Sequence, residues 1–124
     1  MRRVPFQRRS DDCGICVVAG IAKVTYRQAQ QAIFGTKEPH HYWTSSCDLA
    51  TALKRLGVRC DVRARPLGQR SFQELDHDAI LVCDKSPSGW WHWCLWLVDQ
   101  RRFIDPAQPP KKHRRCSAYL KIYR

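Results

Sequence analysis

The chain has 124 residues, 44% apolar and 27% charged, which suits one globular domain over residues 1–124 and excludes both a disordered polar tail and a two-domain enzyme. Twenty-two basic against eleven acidic residues give a formal charge of +11. Such a surface draws acidic partners, but the basic residues are scattered and no reader motif accompanies them, so only nonspecific nucleic-acid contact is expected.

No apolar run reaches the ~18–20 residues of a membrane helix, so no membrane span is expected. No h-region with a cleavage site follows the basic start, so no signal peptide is read. Seven cysteines is an odd number; most are expected to be reduced and buried, as in a cytoplasmic protein.

Residues 1–12, with Pro5 and several arginines, read as an extended arm. Asp11 and Asp12 are N-cap residue types, so a buried helix is predicted from Cys13 to Lys23. Thr25 caps a second helix, Tyr26 to Phe34, which Gly35 stops. Ser45 or Ser46 caps a third, with Leu49, Ala52, Leu53 and Leu56 on one face, ended by Gly57. Strands follow at Val58–Ala64, 79–84, 91–98, 103–105 and 117–123. Ser86-Pro87-Ser88-Gly89 is a turn joining two of them as a hairpin. Pro106 to Arg115 reads as a surface loop. Helices first and antiparallel strands second predict an α+β fold, N-terminal helices packed on a C-terminal sheet.

Chemistry concentrates at Cys13. A thiol in the first turn of a helix meets unpaired N–H groups and the positive end of the macrodipole, which predicts a stabilised thiolate. Among five histidines, only His92 opens a strand that a later acid could flank, which makes it the candidate base. Asp105, ending the next strand, is the candidate orienter; Asp99 competes but falls at a strand–turn junction. Gln7 can offer a side-chain amide to an oxyanion alongside the Cys13 N–H. A helical cysteine with His and Asp on later strands is the papain-type arrangement.

Gln7, Asp12-Cys13-Gly14, His92 and Asp105-Pro106, in that order, resemble the papain-like cysteine peptidases that process bacteriocin leaders after a double glycine. Thr44 to Val58 resembles that family's third helix, and Phe72-Gln73-Glu74-Leu75 with Ala79-Ile80-Leu81-Val82 its lead-in to the first central strand. The resemblance implies a papain-like fold and a Cys13-His92-Asp105 triad with Gln7 at the oxyanion, acting on a peptide or protein substrate without metal or organic cofactor. Leader processing is one role it implies; a toxin or effector that cleaves or deamidates an intracellular target is another.

Two other readings accompany it. One is a catalytically silent peptide-binding module of the same fold. The other is a zinc- or nucleic-acid-binding protein, since Cys13-Gly14-Ile15-Cys16 spells Cys-x-x-Cys. Completion of a zinc site by His92 and Cys94 is set aside on the expectation that the strand turns them to opposite faces. Alternation places Trp91 and Trp93 on one face and His92 and Trp96 on the other.

Overall fold

The chain runs through its helices first and its strands afterwards, as α+β. The computed structural model describes residues 4–124. Of the extended arm expected over residues 1–12, Met1, Arg2 and Arg3 lie outside the described residues; the rest is free of helix and strand.

Helix α1 spans Cys13–Ala22, and Lys23 ends it in the left-handed conformation at φ 59°. Its middle is apolar on every side, so every residue from Cys13 to Ile21 is buried. Helix α2, Tyr26–Phe34, starts on a reciprocal capping box in which the Thr25 side chain accepts from Gln28 N–H and the Gln28 side chain accepts from Thr25 N–H. Helix α3, Ser46–Arg55, has the same device from Ser45 and Asp48. Both caps follow from the sequence spacing of donor and acceptor. Leu56 is the C-cap of α3 and no longer part of it.

The strands are β1 (Arg59–Cys60), β2 (Arg65–Pro66), β3 (Ala79–Cys83), β4 (His92–Leu97), β5 (Arg102–Ile104) and β6 (Cys116–Tyr123). They form one antiparallel sheet in the order β1-β6-β3-β4-β5, with β2 also on β6. The strand expected over Val58–Ala64 is interrupted. Asp61 turns its carboxylate onto Lys121 N–H, Tyr123 O–H and Arg65, and the chain bulges before β2 resumes pairing. The 86–89 turn forms as expected, with Gly89 at φ 91° and its N–H on Ser86 C=O.

Because β6 comes last but lies beside β3, the segment after β5 must cross the sheet. That crossing brings the end of β3, the start of β4, the end of β5 and the start of β6 to one end of the sheet. Strand alternation divides the core in two. Trp93, Leu95 and Leu97 join Ile80, Val82, Leu120 and α1 on the helix side. Cys94 and Trp96 join Leu81, Cys83 and Tyr119 on the other side, under Leu67 and Leu75. Gly20 is where α1 meets β4: a Cβ there would lie 2.9 Å from Leu95 Cδ1.

Candidate active site

Asp105 follows the last residue of β5 and is buried. Its carboxylate accepts from His92 Nε2 at 2.7 Å, Ala107 N–H at 3.0 Å, Lys111 N–H at 2.9 Å and Arg114 Nε at 2.7 Å. Burial alone would raise this acid, but the Lys111 and Ala107 N–H groups, with His92 and Arg114, outweigh it and hold it at about 2. It is therefore an anion at neutral pH and can only accept. The proton shared with His92 then sits on Nε2, which leaves Nδ1 as the basic nitrogen. Burial first, and Arg114 after it, hold His92 below its ordinary value against the opposing pull of Asp105.

Cys13 opens α1 as the sequence predicts, but its electrostatics differ. Burial pushes the thiol up to about 11, and the Asp12 charge adds to this. The N–H groups of Trp93, Gly14 and Cys13 pull the other way without winning. The expected thiolate gives way to a neutral thiol at rest. The helix-terminus effect is worth about 0.3–2 kcal/mol, less than the desolvation of an anion in a site closed by tryptophans.

Asp12 occupies the N-cap position, yet its side chain makes no cap. It points back along the arm and accepts from Arg8 N–H, Arg9 N–H, Gln7 Nε2 and Tyr26 O–H. This wholly buried carboxylate folds residues 7–12 over α2, and Asp11 holds the Tyr42 N–H at 3.0 Å. The predicted role for Gln7 is affected: both its amide hydrogens are engaged, on Arg9 C=O at 3.0 Å and Asp12 Oδ1 at 3.2 Å. Backbone N–H groups, not Gln7, are the donors that face the sulfur.

The four predicted residues are thus brought together unequally. His92 and Asp105 form a direct pair. Cys13 Sγ accepts the N–H of Trp93, the next residue after His92, at 3.5 Å. Among the described residues, no hydrogen bond joins Cys13 Sγ to the His92 ring. Cys13 belongs to the helix-side core, whereas His92 pairs with Cys83 and shares the opposite side of β4 with Cys94.

Cys13 lines a cleft of about 100 Å³ with Asp11, Trp43, Thr44, Gly89, Trp90, Trp91 and Trp93. Trp43 and Trp90 are 48% and 53% exposed and face each other with ring centroids 4.3 Å apart, so they form a rim, not core. Trp91 and Trp93 meet edge to face as one wall, on one side of β4 as expected. The Trp93 indole N–H reaches Thr44, and a Cβ on Gly14 would collide with Thr44 Oγ1. Gly14 therefore lets the 36–44 loop close on the helix start.

One expectation about other groups needs correction. His92 and Cys94 are two residues apart and face the same way: their ligand atoms and an Asp105 oxygen lie within 4.8 Å of one another. A strand's period of two requires this. The trio is nevertheless poorly suited to a cation, because Arg114 and two backbone N–H groups already saturate the carboxylate and place positive charge on it. Cys16 is buried in the helix-side core, and both it and Cys13 are free thiols.

Arg114 is the residue of the candidate site that sequence reading missed. It sits in the loop read as surface, but its side chain is only 11% exposed and bridges Asp105 and Asp84. A single arginine within Lys111-Lys112-His113-Arg114-Arg115 carries no mark distinguishing it from its neighbours. No helix among the described residues is long and apolar enough to cross a membrane. Comparison of the chain with known protein families and with curated proteins finds no match.

Proposed function

We propose that the chain is a papain-like thiol amidohydrolase, a cysteine peptidase in which Cys13 is the nucleophile, His92 the base and acid, and Asp105 the orienter. The observation that carries this reading is the buried Asp105–His92 pair, which fixes a basic Nδ1 one residue along β4 from the N–H that touches Cys13 Sγ.

The chemistry starts from a neutral pair. The substrate carbonyl enters the tryptophan-walled cleft, and Sγ attacks its carbon as His92 Nδ1 takes the thiol proton. The N–H groups around the sulfur face the oxyanion that forms. His92 returns the proton to the departing amine, leaving a thioester. Water adds to the thioester with His92 again as base, releasing the acid and restoring the thiol. Asp105 holds Nε2–H throughout and stabilises the imidazolium of each intermediate. At rest no hydrogen bond among the described residues joins Sγ to Nδ1, so this reading requires the two to come within reach when substrate binds. A peptide segment fits the cleft; leader cleavage and effector-type cleavage of a folded target both lie within this class.

One observation favours a second reading, a silent peptide-binding module: burial pushes the Cys13 thiol up to about 11, and among the described residues its sulfur has no hydrogen bond to the base. Incubation with a mixed peptide library, followed by mass analysis, separates the two. Hydrolysed products that vanish with Cys13→Ala support the peptidase. Enriched but uncut peptides support the module.

A further inference from the structure

Three cysteines outside the cleft converge on the far face of the sheet, and nothing in the peptidase reading uses them. Cys83 ends β3, Cys116 begins β6, and a register shift after Val82 sets them directly opposite each other. Their sulfurs lie 3.0 Å apart. Cys94, in contrast, is diagonal to Cys83, whose partner on β4 is His92.

We propose that Cys83 and Cys116 are an oxidative modification site, a dithiol that a peroxide converts into a cross-strand disulfide. Opposed residues of an antiparallel pair have Cα atoms about 4.5–5.5 Å apart, inside the about 4.4–6.8 Å that a disulfide spans. The bond requires the sulfurs to approach by about 1 Å, which side-chain rotation supplies without breaking the ladder. Cys116 is the partly exposed member and Cys83 the buried one, so the oxidant reaches Cys116 first.

The atoms balance as follows. Cys116 gives up its proton and its sulfur attacks one peroxide oxygen; the O–O bond breaks, water leaves, and a sulfenic acid remains. Cys83 sulfur then attacks that sulfur, its proton leaves with the hydroxyl as a second water, and the S–S bond forms. Two thiols are oxidised and one peroxide is reduced. The contact with Cys116 pulls the Cys83 thiol down, but Cys94 and burial outweigh it, while the contact with Cys83 and burial push Cys116 up; both thiols stay protonated, so loss of the first proton is the slow step.

The position of the pair gives the modification a consequence. Asp84, next to Cys83, accepts from Arg114 Nη1 at 2.6 Å and Arg115 N–H at 3.1 Å. Arg114 in turn holds Asp105. The disulfide closes one residue beyond this clamp and ties the Arg114 segment to β3. Its formation is independent of whether Cys13 is catalytic.

The test treats the whole protein with hydrogen peroxide, blocks remaining thiols, and maps cysteines by mass spectrometry, with and without dithiothreitol. The expected result is loss of two hydrogens, a peptide pair joined through Cys83 and Cys116, and a joint fall of about tenfold in free-thiol labelling at both. The bridge reverts with dithiothreitol, persists in Cys94→Ala and is absent in Cys116→Ser. A bridge from Cys83 to Cys94, or both thiols left free while Cys47 or Cys60 is oxidised, overturns the proposal in the wild-type protein alone.

Discussion

Asp105 Oδ1 lies 2.7 Å from His92 Nε2, and the acid is only 4% exposed. A buried anion pinned to one ring nitrogen dictates the tautomer of the other. Asp105→Asn removes that constraint and the charge that supports imidazolium. The peptidase reading predicts a fall in kcat/KM of roughly 10²- to 10⁴-fold, with His92 titrating still lower by NMR because the opposing carboxylate is gone. An unchanged His92 titration contradicts the tautomer argument even if activity falls.

Arg114 acts through Asp105. Since its charge helps hold His92 down, Arg114→Gln should raise the His92 pKa and move the acid limb of the kcat/KM profile to higher pH. Truncating one partner of a buried pair also lowers stability, by about 3–5 kcal/mol, measurable by urea unfolding. Arg114→Lys should recover part of the stability and most of the His92 titration. Equal loss in both variants is the outcome that does not fit.

Stability should decline in two stages as pH falls. His92 is held below its ordinary value, so the unfolded chain binds the proton first and stability drops as pH falls through about 6.5. Asp105 is held at about 2, so its contribution is intact above the unfolded value near 4 and is lost between there and 2. That second stage amounts to about 2 kcal/mol; Asp61 and Asp84, also held low, add to it with the same sign. Thermal melts of wild type and Asp105→Asn from pH 7 to 3 check this. The variant's curve should be flatter below pH 4.

Gly14→Ala should destabilise, although alanine is normally the better helix former by about 1 kcal/mol. The new methyl meets Thr44 Oγ1, whose position is fixed by the Trp93 indole at 3.1 Å. A thermal shift downward in Gly14→Ala, recovered in the Gly14→Ala/Thr44→Gly double variant, is expected. No shift in the single variant contradicts this account of the loop.

Cys13 should alkylate slowly at neutral pH, slower than the exposed Cys47, and faster by about tenfold per unit as pH rises from 8 towards the value of about 11. Mapped iodoacetamide labelling measures both positions in one sample. Selective labelling of Cys13 at pH 5–6 instead establishes a resting ion pair.

The elements that local chemistry specifies were legible. Capping boxes at Thr25 and Ser45, the 86–89 turn and the alternation of β4 depend on near neighbours, and the order Cys13, His92, Asp105 located the His–Asp pair. What depends on the crossing to β6 was not. The Asp105 donors at Ala107, Lys111 and Arg114 come from a segment whose prolines and charges look like any surface loop, and Cys83 meets Cys116 only because β6 returns beside β3. Asp12 shows a different limit. Its residue type fits an N-cap, but the type does not say whether the carboxylate turns forward onto the helix or back onto four donors of the arm and α2. The thiol pKa likewise depends on burial, which helix position alone does not reveal.

The central claim is that Cys13 is a nucleophile served by His92, and acyl transfer from p-nitrophenyl acetate tests it most directly. The ester is small enough for the cleft, and the Cys47→Ser background removes the exposed competitor. The account predicts an acetyl group mapped to Cys13, formed at least about tenfold more slowly in His92→Ala. Acetylation of Cys13 at the same rate without His92, or acetylation confined to other residues, contradicts it.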